Sequence, residues 1–136
     1  MFKKSDFHYK NIQPLQQGIV VCTLLILIAL TCFIVGKKDI IAWNFLAGPI
    51  MLYCVFNPLM GAFRENRLPY FGKSVLVFLG ILTLVYVLGN AISVVSYHSN
   101  SELHIITIIL FIFYFMFNFL CTVFRAALRF FEEIDN

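Results

Sequence analysis

Apolar residues fill four long stretches of the chain, and short polar segments separate them. The apolar stretches cover residues 18–36, 40–63, 74–95 and 105–124. At about 1.5 Å per residue in an α-helix, the shortest of them reaches about 29 Å, close to the hydrocarbon thickness of a bilayer. The pattern therefore predicts four transmembrane helices in a single domain that covers residues 1–136.

The composition also indicates a membrane protein. Hydrophobic residues make up 61% of the chain, and charged residues make up only 12%. Soluble domains usually carry about 25% charged residues. We therefore expect an all-α membrane protein with tails at residues 1–17 and 125–136. The first tail mixes three lysines with apolar residues, so it is either a short helix on the membrane surface or a loosely ordered tail.

The connectors between the apolar stretches predict how the helices are arranged. Only residues 37–39 join the first two stretches, and so short a link makes the two helices antiparallel neighbours. In the connector 64–73, Pro69 and Gly72 are expected to interrupt any helix. We therefore expect an antiparallel up-down bundle of four transmembrane helices.

Lysine and arginine residues are distributed unevenly between the two sides of this bundle. The first tail carries three, the connector 64–73 carries three and the C-terminal tail carries two, so eight lie on one side. Lys37 and Lys38 are the two on the other side. Under the positive-inside rule, both termini should face the cytoplasm. We expect a multi-pass protein of the bacterial inner (plasma) membrane.

The second apolar stretch contains polar and helix-breaking residues. Pro49 and Pro58 each remove a backbone donor and crowd the carbonyl group four residues earlier, so we expect a kink in this helix. Asn44 and Asn57 would point about 140° apart on a straight helix. The second helix is therefore expected to contact partners on two sides and to be central to the bundle.

Counting residues along the helices places four asparagines at two depths. Asn44 and Asn90 fall near the outer ends of their helices, and Asn57 and Asn118 lie deeper. We hypothesise two polar layers, in which each pair is hydrogen-bonded and Cys121 lies beside the inner pair. Such bonds contribute only about 0.6 kcal/mol each, so they would select the register of the helices more than they would stabilise them.

The fourth predicted helix carries polar residues at helical spacing on one face. These residues are Thr107, Tyr114, Asn118, Thr122 and Arg125. In one interpretation, this face packs inward against the other helices. In the other, it belongs to a partner or ligand face that also includes Asn44, Asn57 and Asn90.

The sequence predicts no catalytic site. All seven acidic, all ten basic and all three histidine residues lie outside the apolar stretches or at their ends. This distribution argues against a proton-coupled carrier and against an enzyme that uses acid–base chemistry. His98, Glu102 and His104 lie close together in the sequence, but their spacing matches no known metal site. We therefore expect no enzyme, no cofactor and no metal.

Two further classes are also disfavoured. No basic run indicates a nucleic-acid partner. Arginines near the cytoplasmic ends, such as Arg64, Arg67 and Arg129, could serve an enzyme that acts on lipids. The positive-inside rule already accounts for arginines at the cytoplasmic ends of transmembrane helices, however, and such residues attract anionic lipid in general.

The remaining hypothesis is a protein that acts by contact within the membrane. We expect an accessory or regulatory subunit, or an immunity-type inhibitor, that binds another integral membrane protein in the lipid bilayer. The alternative is a homo-oligomeric channel or small-solute carrier. Four helices enclose little space, so that alternative needs self-association.

Overall fold

A computed structural model describes residues 13–64 and 67–134 of the chain. The described residues form four α-helices and one short 3-10 turn, Tyr97–Ser99. The helices are α1 (Pro14–Val35), α2 (Ile40–Ala62), α3 (Arg67–Ile92) and α4 (Ser101–Ile134). All four are long and apolar enough to cross a membrane. Of the predicted N-terminal tail, residues 1–12 lie outside the described residues, and the last four residues belong to α1.

The connection between α1 and α2 is short because each helix end is capped locally. Gly36 ends α1 with a φ of 75°, a left-handed conformation that glycine adopts without steric cost. The Lys37 amide then donates to the carbonyl oxygen of Cys32 at 3.0 Å. Asp39 begins the next helix, since its carboxylate accepts from the Ile41 amide at 3.2 Å. This side-chain cap satisfies one of the amides that a helix start leaves unpaired.

α3 begins earlier than the sequence predicts. The predicted connector 64–73 is wrong over most of its length, because the helix starts at Arg67 and includes Pro69 and Gly72. A proline in the first helical turn is tolerated, since an amide there has no partner within the helix. The early start places Tyr70, which the sequence assigns to the connector, in the buried part of the bundle.

α4 has 34 residues and is the longest of the four helices. It continues past the predicted apolar stretch and through most of the predicted C-terminal tail, to Ile134. At about 1.5 Å per residue its length is about 51 Å, well beyond the hydrocarbon thickness of a bilayer. α4 is therefore longer than one membrane crossing requires.

α2 occupies the centre of the described bundle and contacts α1, α3 and α4. In the apolar 18-residue segment of each helix, buried residues make up 44% for α2, compared with 28% for α1, 22% for α3 and 17% for α4. Pro49 and Pro58 lie inside this helix and are buried. The core around it includes Leu25, Leu46 and Phe78, none of which is exposed.

The end of α3 is held against the start of α2. The Trp43 indole donates to the carbonyl oxygen of Val95 at 3.1 Å. The Ser93 hydroxyl donates to the carbonyl oxygen of Lys38 at 3.1 Å. The Trp43 ring lies directly against Gly89, where any side chain would clash with it. This end of the bundle, which we call the Trp43 end, is therefore closed by backbone contacts and one large ring.

Candidate functional site

Asn57 of α2 hydrogen-bonds to all three other helices. Its side-chain amide donates to Gln17 Oε1 of α1 at 3.1 Å and to the Tyr70 hydroxyl of α3 at 3.2 Å. Its side-chain oxygen accepts from the Tyr114 hydroxyl of α4 at 3.4 Å. Asn57 is 0% exposed, and a buried amide is costly unless its donors and acceptors are satisfied. One carboxamide therefore links the four helices.

Tyr70 completes this cluster from the other side. Its hydroxyl accepts from Gln17 Nε2 at 3.0 Å and donates to the backbone oxygen of Asn57 at 3.3 Å. The Arg64 guanidinium lies over the Tyr70 ring, 4.6 Å from its centroid, in a cation–π arrangement. We call the residues Gln17, Asn57, Tyr70 and Tyr114 the amide–phenol cluster, and the end of the bundle that holds it the Asn57 end.

Three stacked aromatic rings, one of which is Tyr114 of the amide–phenol cluster, extend from this cluster toward the middle of the bundle. The Phe78 and Tyr114 centroids are 4.3 Å apart, with an angle of 15° between the ring planes. The Tyr53 ring stacks on both, at 6.4 Å from Phe78 and 6.2 Å from Tyr114. The Tyr53 hydroxyl donates to the carbonyl oxygen of Ser74 at 3.1 Å. These rings fill the space between α2, α3 and α4.

The predicted outer layer of Asn44 and Asn90 is not formed. Asn44 is exposed, because the neighbouring Trp43 takes the position that faces the core. The Asn90 amide donates to the Tyr86 carbonyl oxygen at 2.9 Å, and its side-chain oxygen accepts from the Tyr97 amide at 3.1 Å. Asn90 therefore fixes the turn after α3 instead of joining two helices.

The predicted inner pair of Asn57 and Asn118 is replaced by a contact through Tyr114. The Asn118 amide donates to the backbone oxygen of Tyr114 at 2.9 Å, one turn earlier in the same helix. The long Tyr114 side chain reaches Asn57 in its place. Cys121 is buried, as expected for a thiol in an apolar stretch.

The predicted polar face of α4 divides between the core and the surface. Tyr114 is fully buried. Thr107 accepts from the Tyr97 hydroxyl at 3.1 Å. Thr122 accepts from the Arg67 guanidinium at 2.6 Å, and the Arg125 guanidinium donates to the backbone oxygen of Arg64. The face therefore packs inward at Tyr114, whereas its last turns border the start of α3.

Two cavities open between α3 and α4 at the Asn57 end. The more apolar one, of about 360 Å³, is lined by Gly61, Arg67, Leu68, Tyr70, Phe71, Phe115, Asn118, Phe119 and Thr122. The more polar one, of about 470 Å³, is lined by Arg67, Thr122, Arg125, Ala126, Arg129, Phe130 and Glu133. They share Arg67 and Thr122, so they lie next to each other, and we call the two together the cleft between α3 and α4. At the Trp43 end, a cavity of about 140 Å³ also lies between these helices.

Gln17 and Tyr70 are absent from the set of candidate residues that the sequence predicts. Both fall in segments that the apolar pattern assigns to a tail and to a connector. Their helices begin at Pro14 and Arg67, so each side chain lies within the first turns of a helix. A proline near the start of each segment is the sequence signal that could have extended these helices.

Four described helices that are long and apolar enough to cross a membrane indicate a multi-pass, all-α membrane protein. No protein-family model, no curated protein and no solved structure matches the chain.

We predict that Tyr70→Phe destabilises the bundle by about 1 to 2 kcal/mol. It removes the hydroxyl that joins Gln17 and Asn57, and hydrogen bonds within membranes contribute about 0.6 kcal/mol on average and up to about 1.7. The measurement is the free energy of unfolding in mild detergent. Tyr86→Phe is the matched control, because its hydroxyl contacts the exposed His98 instead. An equal effect of the two substitutions would refute the assigned role of the cluster.

Proposed function

We propose that the four helices alternate in direction across a bacterial inner membrane, with α2 bent at its prolines and both termini in the cytoplasm. The contacts support this arrangement. Gln17 near the start of α1 bonds to Asn57 near the end of α2 and to Tyr70 near the start of α3. Ser93, just after α3, bonds to Lys38 just before α2. The excess of lysine and arginine at the Asn57 end supports the cytoplasmic orientation.

A labelling experiment tests this orientation. The new thiol of Ser99→Cys, in the turn before α4, should react with a membrane-impermeant maleimide in intact cells. The new thiol of Glu133→Cys, near the end of α4, should react only after the membrane is permeabilised. The four native cysteines serve as the background measurement in the unmodified chain. Labelling of the Glu133 position in intact cells would contradict the proposed orientation.

We propose that the protein acts by contact with another integral membrane protein, as an accessory or regulatory subunit or an immunity-type inhibitor, without a catalytic centre. The observation that carries this proposal is that the four helices are buried to different extents within the bundle. Only 17% of the residues in the apolar 18-residue segment of α4 are buried. Large side chains such as Phe119 and Phe124 are 66% and 64% exposed. A partner helix packed on α4 would cover them, and the partly buried Asn118 would lie at its edge.

The chemistry of the core favours this function over transport by a single chain. The polar groups of the amide–phenol cluster bond to one another. They therefore hold the helices together instead of lining a path. The Phe78–Tyr114 stack lies between the cavities at the two ends of the α3–α4 interface. Those two cavities favour the second candidate, a channel or carrier formed by self-association, in which a second copy would complete the path.

We expect tagged protein from native membranes to co-purify with an integral membrane protein in fixed stoichiometry. Phe124→Ala should weaken that association at least fivefold, because a buried aromatic contact at an interface is worth about 1 kcal/mol or more. Phe33→Ala is the matched control, since Phe33 of α1 is similarly exposed at 60%. Co-purification and affinity measurements with the two variants provide the comparison.

The same preparation separates the two candidate functions. Pure protein in liposomes should not move ions or small solutes if it is an accessory subunit. Solute flux that requires only this chain, together with a homo-oligomer in detergent, would contradict the accessory function and support the channel or carrier. An equal effect of the Phe124 and Phe33 variants would contradict the assignment of the partner face to α4.

A further inference from the structure

The cleft between α3 and α4 at the Asn57 end combines a basic pocket with an apolar one. The basic pocket is the more polar of the two cavities, and its charged lining residues are Arg67, Arg125, Arg129 and Glu133. Among the described lining residues, three positive groups and one negative group give it a positive balance. The guanidinium of Arg67 donates one hydrogen bond to Thr122, and an arginine side chain carries five N–H donors in a planar fork. Such forks bind phosphate oxygens in a bidentate manner.

The apolar pocket begins where the basic pocket ends. Phe71 of α3 and Phe115 and Phe119 of α4 form its walls. The Phe71 and Phe115 rings meet edge to face, with their centroids 6.2 Å apart. Because Arg67 and Thr122 line both pockets, a bound molecule could place a charged group at one end and a chain along the other.

The distances along α4 match the layers of a bilayer. Arg125 lies 24 residues after the start of α4 at Ser101, which is about 36 Å along the helix axis. The hydrocarbon core is about 30 Å thick, so Arg125 falls at the level of the lipid headgroups. Phe119 and Phe115 lie about 9 and 15 Å closer to the middle of the bilayer. The basic pocket is therefore at headgroup depth and the apolar pocket at acyl-chain depth.

We propose that this cleft binds one anionic phospholipid. Its phosphate lies among Arg67, Arg125 and Arg129, and one acyl chain lies along Phe71, Phe115 and Phe119. α3 begins at Arg67, so the positive end of its helix dipole faces the same corner and adds to the attraction. The positive balance of the pocket selects an anionic headgroup over a zwitterionic one. This site borders the partner face on α4, because Phe119 belongs to both.

The test is native mass spectrometry of the full chain in mild detergent with added lipids. Phosphatidylglycerol should bind at one molecule per chain, and phosphatidylcholine with the same acyl chains should bind more weakly. Arg67→Gln and Arg129→Gln should each weaken phosphatidylglycerol binding about fivefold, because an arginine near an anionic lipid contributes about 1 kcal/mol. Glu133→Gln should strengthen binding, since it removes the negative group of the pocket.

Lys73→Gln is the matched control for loss of one positive charge. Lys73 is an exposed residue of α3, six positions after Arg67 and about 120° away around the helix. Its substitution should leave phosphatidylglycerol binding unchanged. Arg129 is also exposed, so Arg129→Gln tests the site even if Arg67→Gln disturbs the contact with Thr122.

Three results would overturn the proposal. Equal binding of the two phospholipids would show that the headgroup charge is not recognised. Equal weakening by the Lys73, Arg67 and Arg129 variants would show general charge attraction without a site. Displacement of phosphatidylglycerol by inorganic phosphate at millimolar concentration would show a site for the free anion that gains nothing from the acyl chain.

Discussion

The carboxamide of Asn57 is the interaction on which the described bundle depends. It carries two donors and one accepting oxygen, and its partners lie on α1, α3 and α4. Apolar side chains contribute little specificity inside a membrane, because lipid tails are as apolar as the residues they contact. A directional group at the crossing of four helices therefore fixes the register that apolar packing alone leaves open.

The two interfaces of α3 differ, and the difference explains where a ligand or partner can bind. Toward α2, small residues such as Gly89 let the Trp43 ring lie directly against the helix. Toward α4, the long rings of Phe78 and Tyr114 bridge the helices. Rings that bridge two helices leave space above and below them, and the cavities lie there. The same aromatic residues that close the middle of the α3–α4 interface thus open its ends.

The apolar pattern predicts the number of helices and the central position of α2 because both follow from properties of each segment. Long uncharged runs give the four helices. Of the two asparagines from which the central position of α2 is predicted, Asn57 is buried, whereas Asn44 is exposed. Side-chain pairing depends on distances between helices, which the sequence does not contain. Depth alone suggested Asn118 as the partner of Asn57, but the longer Tyr114 side chain reaches it first. Gln17 and Tyr70 were missed because the predicted helix starts came too late.

The most direct measurement of this account compares the unfolding free energies of Asn57→Leu and Asn118→Leu in detergent. Asn57→Leu removes bonds to three helices, so a loss of about 2 to 3 kcal/mol is expected on the scale of intramembrane hydrogen bonds. Asn118→Leu removes a bond within its own helix, and a loss below about 1 kcal/mol is expected. Equal losses, or a larger loss for Asn118→Leu, would contradict the central role of Asn57.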